Sequence, residues 1–295
     1  VVVLAHGFPE LAYSWRHQIP VLADAGYHVL APDQRGYGGS SRPEAIEDYN
    51  IGALCGDVIG LLDDVDAERA VIVGHDWGAL VAWNAPLFHP DRIAGVVGLS
   101  VPPVPRPPAP PTELWRQVFG ENFFYILYFQ EPGVADADLG NNTATFLHRM
   151  IGGARSADQE GLIARMATPG PEGFVERIPE SDGLPDWISQ EELDHYVDVF
   201  TRTGFTGGLN WYRNFDRNWE LTADTPAATI TVPSLFIAGS ADPVLSFTPR
   251  DRVTDLVKGD YREVLVDGAG HWIQQERPKD INDELLGFLS GPGLK

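Results

Sequence analysis

A chain of 295 residues, 43% hydrophobic and 21% charged, is long enough for one large core carrying an insertion and has the composition of an ordinary globular protein. Its formal charge of −21 is spread along the chain, which argues against nucleic acid as a partner and is read as serving solubility. No apolar run approaches the ~20 residues of a membrane span, so no membrane insertion is expected, and the lone cysteine, Cys55, excludes an internal disulfide framework and a multi-thiolate metal site and fits a reducing cytoplasm.

Residues 1–5 (VVVLA), 28–32, 70–74 and 93–100 read as buried strands, with helical patterns at 14–25, 51–65 and 78–88 between them. Cys55 falls in the second of these helices, where a buried structural thiol is expected. The opening run is too short for a signal peptide and lacks a basic start. Because it begins with valine rather than methionine, residues before Val1 are expected in the parent chain. Such strand-helix alternation implies an α/β fold with a mainly parallel sheet and helices on both faces. The stretch 101–112 (VPPVPRPPAPPT) is too proline-rich for helix or interior strand and reads as an extended connector. Aromatic-rich helical patterns follow, with no convincing strand until about Thr229. Residues 102–227 are therefore expected to form a helical lid inserted between core segments 1–101 and 228–295. Strands return at 234–239 and 261–267, and the spacing of 278–289 predicts a final helix.

The sharpest local signal is Gly74-His75-Asp76-Trp77-Gly78, directly after the apolar run 70–73. It has the form of a strand-to-helix nucleophile elbow, with aspartate where many hydrolases carry serine, and it makes the expected architecture an α/β-hydrolase fold. An acidic helix N-cap is the plainer reading of Asp76, but the two flanking glycines after a buried strand favour the elbow. His6-Gly7-Phe8-Pro9 ends the first strand, where this fold draws one oxyanion-hole amide; the other comes from the residue after the nucleophile. The amides of Phe8 and Trp77 are assigned accordingly, and a cis peptide is expected before Pro9. The glycine-rich loop 33–40 (DQRGYGGS) is assigned no chemistry.

A nucleophile of this kind needs a base and an orienting acid. His271, in 267–272 (DGAGHW), lies just past the last strand, and Asp242, in 239–243 (GSADP), just past the one before it. The order nucleophile, acid, histidine is the one this fold uses, although an aspartate before proline is also a common turn former. Of the eight histidines, His6 and His75 also sit at strand ends, where structural hydrogen bonding is expected of them.

A carboxylate that attacks saturated carbon leaves an ester, which histidine-directed water can cleave, whereas serine would leave an inert ether. Asp76 therefore points to alkyl transfer followed by hydrolysis, and epoxides and alkyl halides both fit. A ring-opened epoxide becomes an alkoxide that needs a proton donor, and tyrosine, at a pKa of ~10, is suitable. Candidates lie in 122–129 (NFFYILYF) and 204–214 (GFTGGLNWYRN). The histidine must be neutral to act on water, so hydrolysis should fade as pH falls through roughly 6.5, a value that burial and a nearby Asp242 would move.

Over essentially its whole length the sequence resembles the soluble epoxide hydrolases. The resemblance is carried by 6–10 (HGFPE), 74–78 (GHDWG), 125–133 (YILYFQEPG), 210–214 (NWYRN) and 270–272 (GHW). It implies an epoxide hydrolase in which Tyr125 and Tyr212 bind the epoxide oxygen, with Tyr128 the local competitor. Phe8, Trp77 and Tyr128 are further candidates for substrate contact. Haloalkane dehalogenases share GHDWG but often carry asparagine where this chain has Phe8, which makes them the alternative; a receptor without turnover is the alternative from outside the enzymes. The family has a strand pair before its His-Gly motif, whereas this sequence begins at that motif's own strand. The implied partners are an apolar epoxide, lipid-like or aryl, and water; a homodimer is allowed. No metal or organic cofactor is implied, since neither a Cys/His cluster nor a phosphate-binding loop is present.

Overall fold

The computed structural model describes residues 1–152, 168–180, 183–223, 229–248, 250–291 and 294. Short apolar runs make its sheet: Val2–Ala5 (β1), Val29–Leu30 (β2), Ala70–His75 (β3), Ile93–Leu99 (β4), Ser234–Gly239 (β5) and Tyr261–Val266 (β6). They pair in parallel in the order β2-β1-β3-β4-β5-β6. β1, β3 and β5 are buried along their whole length, which is why their sequences are mainly apolar rather than alternating, with His75 and Ser234 at strand ends the exceptions. One core cluster joins Val73, Leu99 and Ile237 of the sheet to Ile281 and Leu285 of the helix Pro278–Leu289. Each such side chain contributes about 1.5–3 kcal/mol by leaving water.

Strand order determines where a site can form. From β1 the chain crosses to β2 at one edge and returns to β3 on the other side of β1. Crossovers diverge at that point, and in open parallel sheets the resulting crevice lies at the carboxyl ends of the strands. The register sets Ala5 opposite Gly74 and His75 opposite Leu99, so the residues following β1, β3 and β4 emerge side by side.

The fold class is as the sequence implies, and the helices Ile51–Asp64, Trp77–Phe88 and Pro278–Leu289 fall where the spacing puts them. Two elements differ. The helix expected over 14–25 is a 3-10 turn, Ala12–Trp15, followed by a separate helix, Ile19–Asp24, with Pro20 in its first turn. Proline tolerates a first turn but cannot donate to a preceding one, so the helix restarts there. β2 has only two residues, because the chain runs at once into Pro32.

The chain divides into two compact units: Val1–Gln34, Ile51–Arg106 and Asp224–Lys295 in the first, and Arg35–Asn50 with Pro107–Ala223 in the second. The described part of the second is helical, including Pro111–Phe119, Gln190–Thr203 and Thr206–Arg213. The segment Arg35–Asn50, which the sequence reading leaves in the core, groups with these helices instead. Trp211 Nε1 donates to the Arg35 carbonyl at 3.0 Å and Asn214 Nδ2 to that of Ile46 at 2.6 Å. Gly36 adopts φ +93°, and a Cβ there would lie 2.9 Å from the Gly207 backbone, so the loop's glycines serve a backbone-to-backbone approach. The return to the core expected at 227–228 lies outside the described residues.

Two glycine substitutions separate these constraints. A Cβ on Gly74 would sit 1.9 Å from the Gly78 carbonyl oxygen, and Gly74→Ala is expected to abolish soluble, folded protein. Gly56, exposed within Ile51–Asp64, has nothing within 4 Å of a Cβ. Gly56→Ala should raise unfolding stability by about 0.4–1 kcal/mol, read from denaturant midpoints.

Candidate active site

The turn between β3 and the helix Trp77–Phe88 sets Asp76 at φ 52°, ψ −115°, a conformation side chains rarely adopt. It does so because the flanking glycines let backbone touch backbone: a Cβ on Gly78 would meet the Ala5 carbonyl oxygen at 2.0 Å. Gly7 leaves room for Asp76 itself, since a Cβ there would lie 2.5 Å from Asp76 Cβ. The Asp76 side chain keeps 16% of its surface exposed. The Phe8 amide donates to Asp76 Oδ1 at 2.9 Å, and the Trp77 amide also hydrogen bonds this carboxylate. The Phe8–Pro9 peptide is cis. Burial pushes the Asp76 carboxyl above the usual carboxylate range, while His271, His75 and the two amides pull it back.

His271 and Asp242 join Asp76 within the same unit. Asp242 follows β5, its side chain fully buried, and its Oδ1 accepts from the Val244 amide at 2.9 Å. Its Oδ2 lies 2.9 Å from His271 Nδ1, which directs Nε2 toward Asp76 Oδ2 at 3.8 Å. That gap is too long for a hydrogen bond. His271 therefore faces Asp76 without a hydrogen bond to it. Burial disfavours the charged imidazole, but Asp242, by charge and hydrogen bond, then Asp76 and Glu10, outweigh it and push His271 up to about 9. The departure from 6.5 is thus upward.

Tyr125 and Tyr212 come together in the second unit, on the short helix Tyr125–Tyr128 and on Thr206–Arg213. Their rings meet edge to face at 6.1 Å, and Phe129, at 5.5 and 5.1 Å from them, packs against both. Gln130 Nε2 ties the two helices by donating to the carbonyls of Ile126 and Tyr212. Tyr128 is engaged elsewhere: its hydroxyl donates to Asp138 Oδ2 at 3.2 Å. Burial and then Asp138 push its phenol up to about 12, which makes it a poorer proton donor than an ordinary phenol.

Several supporting residues carried no clear signal in the sequence. Glu10, fully buried, accepts from the amide of Gly7 and the side chains of Gln274 and Gln275, and its Oε2 lies 2.6 Å from His75 Nδ1. His75 Nε2 in turn donates to the His271 carbonyl at 2.8 Å. Glu276 takes the amides of Gly270 and Trp272 on either side of the histidine. Glu10 stands inside the HGFPE motif and Glu276 five residues past His271, but nothing in either position announces a buried network.

Residues 1–278 match the family model described as alpha/beta hydrolase fold, and the chain belongs to that family. It is 69% identical over 295 residues to Epoxide hydrolase A of Mycobacterium tuberculosis, covering all of this chain and 92% of that protein. It is 41% identical to Epoxide hydrolase 3 of Siraitia grosvenorii, covering 98% of this chain and 92% of the relative. The crystal structure of Epoxide Hydrolase A from Mycobacterium thermoresistibile superposes with a TM-score of 0.96 at 65% identity, over 98% of this chain and 91% of that one. Within the hydrolase family, its branch is the epoxide hydrolases. Among the described residues no helix is long and apolar enough to cross a membrane.

Because Asp76 is among the charges that raise His271 to about 9, neutralising it should lower that value. In Asp76→Asn, which removes the charge and keeps the shape, imidazole NMR should show His271 losing its proton at lower pH than in wild type. Neutral imidazole should then be present at pH values below about 9. An unchanged His271 titration would contradict this coupling.

Proposed function

We propose that this epoxide hydrolase opens its substrate in two steps through an ester on Asp76. The observation that carries the reading is the Asp76 carboxylate itself, with Oδ1 on the Phe8 amide and Oδ2 facing His271 Nε2, whose other nitrogen is held by Asp242. Asp76 Oδ2 attacks an epoxide carbon, the ring C–O bond breaks, and the leaving alkoxide takes a proton from Tyr125 or Tyr212. His271 then removes a proton from water. The hydroxide adds to the Asp76 carboxyl carbon, and the amides of Phe8 and Trp77 hold the resulting oxyanion. Collapse breaks the acyl bond and releases the diol, whose new oxygen takes the proton from His271, and the proton left on the Asp76 carboxyl returns through solvent to the tyrosine that gave one up.

The aromatic side chains packed around Tyr125 and Tyr212 support an apolar epoxide, aryl or lipid-like, as the substrate class. Phe8 and Trp77 are the proposed substrate contacts beside the nucleophile. The residues expected as the lid are proposed to act as one, supplying both tyrosines. A cytoplasmic location is part of the reading, in keeping with one buried thiol, and a homodimer is the assembly to test by sedimentation.

Oxygen tracing tests the covalent route. In one turnover with excess enzyme in heavy-oxygen water, the first diol should carry no label, because its new oxygen comes from Asp76; full label in that diol would mean direct attack by water. His271→Gln should form the ester and keep it, seen as one added substrate mass.

The tyrosines separate epoxide from halide chemistry. Tyr125→Phe and Tyr212→Phe should each slow ring opening, and the double variant should lose most of the ~10²–10⁴-fold that general-acid assistance supplies. Ester hydrolysis should persist in all three. A wild-type protein that cleaves alkyl halides well and epoxides poorly, indifferent to both changes, would be a dehalogenase.

A further inference from the structure

Three described residues other than glycine have positive φ: Asp66, Asp76 and Ser100. Asp66 lies in an exposed turn and Asp76 is the nucleophile, but Ser100 is fully buried at φ +66°, immediately after β4. Such a backbone is unfavourable for a side chain and persists only where the surroundings impose it. Glycine would adopt it freely, and alanine would fill much of the same space, so neither conformation nor burial calls for serine. What serine adds is a hydroxyl. Ser100 Oγ donates to the main-chain carbonyl of His271 at 2.8 Å. That carbonyl already receives His75 Nε2 at 2.8 Å, so the Ser100 bond is not needed to rescue an orphaned acceptor. It occupies the second lone pair and fixes the carbonyl from both sides.

The neighbouring backbone makes the placement more telling. The Leu99 carbonyl accepts the amide of Asp76 at 3.2 Å, and the Ser100 amide donates to Ile237 of β5, the strand that leads to Asp242. Two consecutive residues at the end of β4 thus hold the backbone of the nucleophile, the backbone of the base and the strand that carries the orienting acid. We propose that Ser100 is a positioning residue for His271, its hydroxyl fixing the base relative to Asp76 and Asp242 for the hydrolytic half-reaction. The role rests on the reading of His271 as the base.

The test measures both half-reactions in Ser100→Ala and Ser100→Gly by rapid mixing with an epoxide, alongside His271→Gln and with thermal unfolding of each protein. Both variants should slow ester hydrolysis roughly tenfold, the scale of one hydrogen bond, and leave alkylation of Asp76 within about twofold of wild type. They should do so equally, although glycine relieves the backbone and alanine does not. The acid limb of hydrolysis should also move to lower pH as the imidazole loosens from Asp242. The other groups facing that ring, Asp76, Glu10 and His75, are unaltered, as is Glu276 on the flanking amides. Wild-type hydrolysis in Ser100→Gly with a defect only in Ser100→Ala would make the effect one of backbone conformation and overturn the role. So would a parallel loss of both half-reactions that follows the unfolding midpoint with no change in the pH profile. If His271→Gln traps the ester while both Ser100 variants hydrolyse it normally, Ser100 alone is refuted. If His271→Gln neither traps nor turns over, the base assignment fails first, and with it this role.

Discussion

Gly7, Gly74 and Gly78 bring three stretches of backbone closer than any side chain permits. Added Cβ atoms would lie 2.5 Å from Asp76 Cβ, 1.9 Å from the Gly78 carbonyl oxygen and 2.0 Å from the Ala5 carbonyl oxygen respectively. The end of β1, the turn after β3 and the start of the next helix are thereby locked together, and the reactive geometry follows from that contact. Asp76 is forced to φ 52°, its carboxylate falls under the Phe8 amide, and the Trp77 amide beside it opens a helix whose positive end faces the charge. The strained residue costs about 1–3 kcal/mol. Buried valines and isoleucines, at about 1.5–3 kcal/mol each, offset it, and β1, β3 and β5 supply six of them.

The three histidines near this contact are kept in different states by their partners rather than by their exposure. His6 Nδ1 faces the Gly7 carbonyl and its Nε2 accepts the Gln34 amide, which defines one neutral tautomer; burial lowers its proton affinity further. His75 presents Nε2 to a carbonyl, so that nitrogen carries a proton, and a second proton lies between Nδ1 and Glu10. Burial alone would raise the Glu10 carboxyl, but His75 and the Gly7 amide hold it below the ordinary range, so it serves as a buried anion with four donors around it. Of the three, only His271 retains surface exposure, at 14% of its side chain, and only it has a ring nitrogen directed at Asp76. The histidine proposed as the base is distinguished from the other two by what lies opposite each nitrogen.

The parts of this arrangement that were legible in the sequence are those governed by local rules. Apolar runs of β-branched residues mark β1, β3 and β4, paired glycines mark the elbow, and the chain order of Asp76, Asp242 and His271 points to one strand end after another. The packing of Arg35–Asn50 against helices more than 150 residues away left no local trace, because it depends on Trp211 and Asn214 finding backbone carbonyls in a loop. Ser100 was readable only as the last residue of a strand; its left-handed backbone and its bond to His271 depend on β5 and on the loop after β6. The choice between Tyr125 and Tyr128 rested on resemblance, since both precede apolar residues on one helix. In the fold, Asp138 engages Tyr128 and leaves the Tyr125 ring against Tyr212.

The 3.8 Å between His271 Nε2 and Asp76 Oδ2 suits the carboxylate nucleophile proposed above. A serine must surrender its proton to the base as it attacks, so base and nucleophile need hydrogen-bond contact, about 2.6–3.2 Å. Aspartate attacks already ionised and asks nothing of the histidine in the first step. A protonated His271, with a pKa raised to about 9, even helps then, because its charge favours the ionised form of Asp76. In the proposed reaction, alkylation turns Asp76 into a neutral ester and removes one of the charges that held the proton on His271. Asp242 remains to orient the ring, and the imidazole becomes able to take a proton from water only once there is an ester to cleave. The order of the two steps is thus carried by the charge of the nucleophile itself, with no moving part, provided that the backbone of His271 stays fixed while its protonation changes.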